Sequence, residues 1–559
     1  MSNPKVPDIQ WFEDSLKELV KAKDDKEKTS IIDKLRTELF NLESTKKFLG
    51  ENAAKYFEEL SKKRNEKLPA ITNYPETEEE IQKIVEEAYK DGNTIVRVVG
   101  SGHSISDAII DKENKKIVLI SLKKFNGVEF ISDDTVKVKA GTHLNQDPQD
   151  DTSNLSNSLN YIINERGYAF PDLGGIAHQT VGGFLSTGSS GGSSKYSLEE
   201  SVISINIING KGELKELTRP NDDFFAAGVS MGLFGIITYV TFKLNPNYYI
   251  YGSQVSTFVD EGLNSDYQKG CPIDLFGSTN KPQDVPSLYD FFANGSNYDA
   301  EYSRLLWWPQ TDVNRFTIWK AKRTEVLDLK GFTKPTAPYL EFNEILGSQI
   351  PEQIIAHIAY VALNILYLID DDTTRKIAAL ILSFFSGVVQ QAFQDIWYNG
   401  LPMDDKVSDT ILPTTFTELW FQIRNADDTN KIMNKLKDYF ASGDSATGNN
   451  ATEIYTTKKS EFWLSPSYDY ENVIRIDFFY FLGNKVGDPN EFFEKCCKVF
   501  DGFEYRCHWG KYIPDNYKVD VNKYSKYNQW MAIREQMDPN QIFVTQYWRK
   551  VLNIEPQKK

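Results

Sequence analysis

The residues best suited to chemistry lie in a short loop near position 100. A run of β-branched residues, Val96–Val99, is broken only by Arg97 and leads into the small-residue loop Gly100–Ser104. Such a run predicts a buried strand, and the loop after it has backbone N–H groups that are bare enough to hold a pyrophosphate. His103 stands near the end of this loop, where the other end of a bound anion would lie.

A second small-residue stretch, Gly174–Gly192, is rich in glycine and serine. It contains Val181, Phe184 and Leu185, which a flexible linker would lack, so a structured loop that approaches a ligand closely is predicted. Neither loop carries the Gly-Lys-Ser/Thr of a nucleotide P-loop or the full pattern of a Rossmann fingerprint. Two such loops near strands favour an extended dinucleotide held by backbone amides.

The composition of the chain excludes some classes of function. Of the 559 residues, 40% are hydrophobic and 25% are charged, as in ordinary globular domains. The formal net charge of −16 argues against nucleic acid as a partner, because phosphate binding needs a basic surface. The four cysteines form no CxxC pair, which indicates a reducing compartment or indifference to redox.

The elements that must position the loops follow from hydrophobic periodicity and turn residues. Residues 1–70 are predicted as helices. The next helix starts at Thr77, which can cap it, and runs to about Lys90. Further elements before position 245 are strands at 117–121, 127–131 and 135–140, an amphipathic helix at 152–166, and a hairpin of 202–208 with 213–217.

Longer apolar and aromatic segments after position 245 indicate a second domain. It should contain two hydrophobic helices at 351–369 and 375–395, strands near 412–424 and 472–482, a disordered surface loop at 441–452, and a late helix at about 525–536.

Membrane and export signals are weak in this sequence. The apolar run from Ile354 to Ile369 is shorter than the roughly 20 residues a spanning helix needs, so a buried helix is favoured over one lying on a membrane surface. The first residues lack a basic segment followed by an apolar one, so no signal peptide and a cytoplasmic location are expected.

Three motifs in order resemble one family. The runs VRVVGSGHS, GGIAHQTVGGFLSTGS and HWGK resemble the FAD-dependent sugar and aldonolactone oxidases, which include the L-gulonolactone, D-arabinono-1,4-lactone and alditol oxidases. These are flavoproteins of the vanillyl-alcohol oxidase type. The resemblance runs from about residue 70 to 555.

The resemblance implies an α+β fold. After the helical extension that periodicity predicts at 1–70, it places a two-subdomain PCMH-type FAD-binding domain at 71–245 and an α+β cap domain with an antiparallel sheet for the substrate at 246–500. The segment 501–559 would return to the FAD domain and the active site.

The resemblance also implies the cofactor site. His103 would bond covalently to the 8α-methyl carbon of FAD, a reaction that suits a neutral imidazole. The residues that would bind the cofactor are Val99, Gly100, Ser101, Gly102, His103, Ser104, Gly175, Thr180, Gly183, Thr187, Gly188, Ser189, Ser190, Ile237 and His508. His143, His178 and His357 are expected to be structural, and no residue is assigned to a metal.

The catalytic residues implied by the family are Glu418, Lys511 and His508, which would stand over the flavin and the substrate. A carboxylate and an ammonium together can orient a hydroxyl group and stabilise a developing alkoxide. In the alditol-oxidising branch an arginine follows the glutamate by two places, but here that residue is Trp420. We expect Arg304 or Arg424 to supply the missing guanidinium.

The implied reaction is hydride transfer from a carbinol carbon of a sugar-derived lactone or related carbohydrate alcohol to flavin N5. Gly174 holds the position at which family members control access of oxygen, and a small residue there favours O2 as acceptor, with H2O2 as product. Two alternatives remain open. One is a flavin-binding protein without turnover that serves partner or membrane association, and the other is a flavin dehydrogenase with a different acceptor. The oligomeric state is not predicted.

Overall fold

The computed structural model describes residues 73–111, 116–259, 262–310, 313–325, 338–339, 391–403, 414–448, 450–481, 487–514 and 520–557. The predicted helices at 1–70 and 351–369, and His357, lie outside these residues. Within them, no helix has the length and apolar character needed to cross a membrane.

The helices are mostly short and lie around the sheets. Their bounds are α1 Glu78–Asp91, α2 Leu159–Glu165, α3 Val181–Ser186, α4 Asp222–Ala227, α5 Leu288–Ala293, α6 Trp397–Gly400, α7 Ala426–Phe440, α8 Pro489–Val499, α9 Tyr527–Met537 and α10 Gln546–Val551. The capping prediction for α1 is confirmed, because the Thr77 hydroxyl accepts a hydrogen bond from the Glu80 amide and Gly92 ends the helix with φ +67°.

The first half of the chain forms two small sheets and a short two-stranded ladder. Their strands are β1 Thr94–Val99, β2 Lys116–Ser121, β3 Val128–Ser132, β4 Thr135–Lys139, β5 Tyr168–Ala169, β6 Val202–Asn209, β7 Leu214–Thr218, β8 Gly235–Lys243 and β9 Asn245–Pro246. β1 and β2 pair in parallel. The five-stranded antiparallel sheet has the order β3-β4-β8-β6-β7, and β5 pairs with β9.

An eight-stranded antiparallel sheet follows. Its strands are β10 Tyr249–Phe258, β11 Tyr302–Trp308, β12 Arg315–Thr324, β13 Gln391–Ile396, β14 Thr414–Gln422, β15 Thr452–Thr457, β16 Val473–Phe481 and β17 Tyr505–Cys507. Their order in the sheet is β13-β10-β12-β11-β15-β16-β14-β17. The α+β fold and the antiparallel sheet of the second half therefore agree with the sequence-based expectation.

Arg97 interrupts the apolar strand β1 because its side chain ties the strand to distant parts of the chain. The buried guanidinium donates hydrogen bonds to the carbonyl oxygens of Met231, at 2.8 Å, and Phe543, at 2.9 Å. The backbone amide of Val96 donates to the Ile542 carbonyl at 2.8 Å. The C-terminal segment thus packs against the strand that carries the glycine loop.

Four local predictions need correction. Residues 391–395, expected to end a helix, form strand β13. The expected helix at 152–166 is divided by Ser158, because Asn154 and Asn157 form a reciprocal capping box that closes a separate 3-10 turn. The loop around Gly183 contains the short helix α3, which begins where the Thr180 hydroxyl accepts from the Gly183 amide.

The fourth correction concerns the segment 441–452, which was expected to be disordered. The structure shows a 3-10 helix at Asp444–Thr447 followed by β15, and Thr447 is buried. The hydroxyl of Thr447 accepts a hydrogen bond from Gln310 at 3.0 Å, which attaches this segment to the end of β11.

Candidate active site

A cavity of about 330 Å³ lies between the loop after β1 and the segment around α3. Most of the predicted cofactor residues line it: Val99, Gly100, Ser101, Gly102, His103, Ser104, Thr180, Gly183, Thr187 and Ile237. Gly175, Gly188, Ser189, Ser190 and His508 are outside this lining. Residues of both small-residue stretches therefore line one cavity.

The glycines in these walls fit an extended dinucleotide. A Cβ atom on Gly100 would lie 2.6 Å from the Thr180 Oγ1, so only glycine lets the two walls approach this closely. Gly102 has φ +76°, a conformation that glycine adopts without strain. At these two positions no side chain covers the backbone, which suits a pyrophosphate held by N–H groups.

His103 lies in the cavity wall, and two other histidines support it. Its ring centroid is 4.6 Å from that of His178, which is buried. The His178 carbonyl accepts hydrogen bonds from the Ser101 hydroxyl at 3.0 Å and from Nδ1 of His143 at 2.8 Å. Nε2 of His143 is 3.2 Å from a carboxylate oxygen of Asp150. His143 and His178 thus contact the loop that carries His103, and His143 also lines the cavity.

The C-terminal motif closes one end of this cavity. The Ile105 amide donates to the Gly510 carbonyl at 3.1 Å, and a Cβ on Gly510 would lie 3.2 Å from the Ser104 hydroxyl oxygen. Trp509 lines the cavity, and its indole N–H donates to the Leu464 carbonyl at 2.6 Å. Residues about 400 positions apart therefore meet beside His103.

Glu418 is the buried carboxylate of the site, and it has an arginine partner. It lies in β14 and is 1% exposed. Arg475 in β16 reaches its Oε1 with Nε, at 2.7 Å, and with Nη2, at 2.6 Å. The guanidinium carbon lies 4.3 Å from the ring centroid of Trp420 and 3.8 Å from that of Tyr455. Stacking on both sides fixes the plane of this cation.

Arg475 also connects the large sheet to the second glycine loop. Its Nη1 donates to the carbonyl oxygens of Ser190 and Gly191, each at 3.1 Å. The hydroxyls of Ser190 and Thr457 share a further hydrogen bond. Ser190 thus joins the loop Gly174–Gly192 to the sheet face that carries Glu418.

The charges around Glu418 keep it ionised. Burial alone would raise the pKa of this carboxyl, but the positive charge of Arg475, with a smaller contribution from Lys511, lowers the pKa below its usual value. The Lys511 ammonium nitrogen lies 3.7 Å from the ring centroid of Phe416. The charges of Glu418 and Lys511 also act on His508, whose backbone amide donates to the Glu418 carbonyl, so the three predicted catalytic residues lie close to one another.

His508 is a neutral imidazole in this site. Burial lowers its pKa to about 3. Its Nδ1 accepts a hydrogen bond from the Gly510 amide at 3.0 Å, so the ring hydrogen is assigned to Nε2. Its own backbone amide donates to the Glu418 carbonyl at 3.1 Å, which fixes the histidine beside the end of β14. His508 can therefore act as a hydrogen-bond donor without carrying charge.

The prediction that Arg304 or Arg424 supplies the guanidinium beside Glu418 is wrong. Arg304 pairs with Glu453, with Nη1 3.4 Å from Oε1. Arg424 is exposed and pairs with Asp428 at 3.1 Å. The group that reaches Glu418 comes from Arg475, the residue directly opposite Trp420 in the pairing of β14 with β16. This register depends on how two strands separated by more than 50 residues align, and the sequence carried no local signal for it.

Comparison with known sequences identifies the family. The profile described as D-arabinono-1,4-lactone oxidase matches residues 271–551, which is half of the chain. The chain belongs to the D-arabinono-1,4-lactone oxidase family. The profile described as an FAD binding domain matches residues 69–218, and the cofactor of the chain is FAD.

Individual relatives match over shorter lengths. The D-arabinono-1,4-lactone oxidase of Eremothecium gossypii is 33% identical over 195 residues, which cover 33% of this chain and 34% of that protein. The enzyme of the same name from Saccharomyces cerevisiae is 34% identical over 194 residues, again covering 33% of this chain and 34% of that protein. The chain thus spans about a third of the length of these curated relatives.

Solved structures confirm the fold class. A variant of cholesterol oxidase from Brevibacterium sterolicum has a TM-score of 0.61 at 14% identity, over 86% of this chain and 93% of that chain. A chitooligosaccharide oxidase has a TM-score of 0.54 at 14% identity, over 87% of this chain and 91% of that chain. The fold is that of the PCMH-type FAD oxidases, as the motifs implied.

The close approach of Gly100 to Thr180 gives a test of the cofactor cleft. In a Gly100→Ala variant the new methyl group collides with the Thr180 hydroxyl and forces the two walls apart. We expect the ratio of flavin to protein, measured by absorbance after purification, to fall at least twofold.

Two further variants control this experiment. Gly100→Ala/Thr180→Ala removes the colliding atom and should hold as much flavin as Thr180→Ala alone, which is its reference because Thr180 also caps α3. Gly502→Ala introduces backbone strain at a remote turn, where a Cβ meets no atom within 4 Å, and should keep the normal ratio. Full flavin content in Gly100→Ala would contradict the assigned cleft.

Proposed function

We propose that this protein is an FAD-dependent oxidase that oxidises a carbinol carbon of a sugar-derived lactone or related carbohydrate alcohol, with O2 as acceptor and H2O2 as product. Membership of the D-arabinono-1,4-lactone oxidase family supports the substrate class. The observation that carries the proposal is the ionised Glu418, held by Arg475 on the sheet face that contacts the second cofactor loop.

The bound FAD supplies the acceptor for the hydride, at N5. A residue of the chain accepts the proton of the substrate hydroxyl. In the described part of the chain, the hydrogen bonds that Arg475 donates to Glu418 fall on Oε1, and the Tyr455 hydroxyl oxygen lies 3.5 Å from the same atom. Oε2 is therefore the atom that accepts the proton of the substrate hydroxyl.

Lys511 contributes a positive charge to the mechanism, and His508 contributes a neutral hydrogen-bond donor. The ammonium of Lys511 lies on the same side of the site and stabilises negative charge that develops on the substrate oxygen. The Nε2–H group of His508 donates a hydrogen bond without requiring a change of protonation. Arg475 holds Glu418 and the loop Gly174–Gly192 in one fixed relation, which would orient the substrate hydroxyl toward Glu418.

Gly174 supports oxygen as the acceptor. A Cβ at this position would lie 3.1 Å from the Ile176 carbonyl oxygen and 3.3 Å from a ring carbon of Phe184. A side chain at this position would thus press against its neighbours within Gly174–Gly192. We propose that the absence of a side chain at Gly174 leaves the flavin accessible to O2.

The organisation of the chain is part of the proposal. Residues 71–245 together with the segment 501–559 form the FAD-binding unit, and 246–500 form the cap for the substrate. The bonds of β1 to Ile542 and Phe543 support this division.

A cytoplasmic location is proposed because the four cysteines are unpaired. The apolar run from Ile354 to Ile369, for which a membrane-surface helix was the alternative to a buried one, falls outside the described residues.

Flavin reduction tests the function. When the protein is mixed anaerobically with a panel of aldonolactones, sugars and alditols, we expect at least one lactone to bleach the flavin absorbance in a stopped-flow experiment. Glu418→Gln and Lys511→Met should each slow this step at least tenfold, since one acid–base or electrostatic contribution is worth about 10²-fold or more.

A matched control is Glu471→Gln, which removes an exposed carboxylate paired with Lys459 and should leave the rate unchanged. Absence of reduction by every compound would instead support a flavin-binding protein without turnover. Slow reoxidation of the reduced protein in air would identify a dehydrogenase. Unchanged rates in the Glu418 and Lys511 variants would remove their proposed roles.

The link between His103 and the flavin can be tested separately. Formation of a bond from the imidazole nitrogen to the 8α carbon removes one hydrogen from each partner, and O2 accepts the two electrons. We expect the yellow colour of the wild type to stay with the polypeptide after acid precipitation, and the His103→Ala variant to release its flavin. Colour lost from the wild type, or retained by His103→Ala, would rule out this attachment.

A further inference from the structure

Three buried carboxyl groups lie side by side on the large sheet. Asp477 in β16 is the direct partner of Glu418 in β14 and of Glu453 in β15. Residues paired in this way point to the same face, with Cβ atoms about 4.5–5.5 Å apart. All three side chains are less than 10% exposed. The row continues the face that carries Arg475, two residues before Asp477 in the same strand.

The three carboxyl groups of this row differ in their positively charged partners. Glu418 is paired with Arg475, and Glu453 lies 3.4 Å from Arg304. Asp477 stands between these two pairs. Neighbouring carboxylates cannot all ionise in a buried place, and the one without its own guanidinium partner retains a proton. Burial first, and then the charges of Glu418 and Glu453, raise the pKa of Asp477 well above its usual value.

We assign the proton of Asp477 to Oδ1 from the contacts around it. The Tyr455 hydroxyl has one hydrogen, which we assign to the shorter of its two carboxyl contacts: Oδ2 of Asp477 at 3.2 Å, and not Oε1 of Glu418 at 3.5 Å. Oδ1 is fully buried and has no hydrogen-bond partner within the part of the chain that the structure describes. A buried O–H donor without an acceptor destabilises a folded protein, so an acceptor from outside the chain is needed.

The position of Asp477 indicates what that acceptor is. The adjacent Glu418 is the proposed proton acceptor, and the positive charge of Lys511 acts on both carboxyl groups. The face they share is the one from which Arg475 reaches the cofactor loop. A ligand oxygen that meets Glu418 is therefore within one strand spacing of Asp477.

We propose that Asp477 is a neutral carboxylic acid that donates a hydrogen bond from Oδ1 to an oxygen of the bound substrate, and that this donor selects uncharged rings with a hydroxyl or lactone carbonyl oxygen at that place. The proposal rests on the proposed lactone oxidation. It adds a specificity residue to the proton acceptor Glu418 and to the cations around it.

Two substitutions separate a neutral donor from an ionised carboxylate. Asp477→Asn keeps the shape, an acceptor for Tyr455 and an N–H donor for the substrate. Its dissociation constant for the lactone, from the concentration dependence of flavin reduction, should stay within threefold of the wild type. Asp477→Leu removes the donor and should raise that constant tenfold or more, the effect of about one hydrogen bond. Equal, large losses in both variants would overturn the proposal.

Infrared difference spectroscopy gives a readout that does not depend on turnover. The wild type should show the carbonyl stretch of a protonated carboxylic acid, and Asp477→Asn should lack it. Addition of the lactone under anaerobic conditions should shift this band to lower frequency, as expected when the acid donates a hydrogen bond to the ligand. The Asn variant also serves as the folded control if Asp477→Leu loses its flavin.

The outcomes distinguish this proposal from the proposed function. If no lactone reduces the wild-type flavin, the proposed function fails first. If the wild type is reduced but the acid band is absent, or is present and unmoved by the lactone, Asp477 is ionised or holds only a buried water. Either of these results would overturn the assignment of Asp477 while leaving lactone oxidation intact.

Discussion

The buried ion pair between Glu418 and Arg475 is the interaction on which the rest of the site depends. Taking both charges out of water is costly, and the loss of either partner would leave an unpaired buried charge. The pair persists because the guanidinium satisfies several acceptors at once: the carboxylate, the Ser190 carbonyl and the Gly191 carbonyl. One planar cation thus fixes the protonation of the carboxylate and the position of the cofactor loop.

Two further contacts determine where this pair lies relative to the cofactor cavity. Val96 and Arg97 bind the carbonyls of Ile542 and Phe543, so the first glycine loop is held against the end of the chain. Gly510 contacts the same loop through Ile105 and lies two residues beyond His508. The site is therefore assembled from strands β1, β14 and β16 and from the C-terminal segment, and none of these alone could form it.

The sequence allowed much of this arrangement to be predicted. The apolar run before Gly100, the mixture of apolar and small residues after Gly174, and the capping residue Thr77 are local signals, and the structure agrees with each. Arg475 and Asp477 could not be found in this way, because their roles follow from the alignment of β16 with β14 and β15. Periodicity also misassigned residues 391–395, where an alternating edge strand was interpreted as the end of a helix.

The pH dependence of flavin reduction by a lactone tests the ion pair most directly. Because Arg475 lowers its pKa, Glu418 stays ionised between pH 8 and pH 5, and His508, with a pKa of about 3, stays neutral. The wild-type rate should therefore change by less than about twofold over this range, whereas titration of an essential group by one pH unit changes a rate about tenfold. In Arg475→Gln, burial becomes the dominant influence, the pKa of Glu418 rises, and the rate should fall as the pH is lowered through that range. A variant profile as flat as that of the wild type, in protein that retains its flavin, would contradict the account.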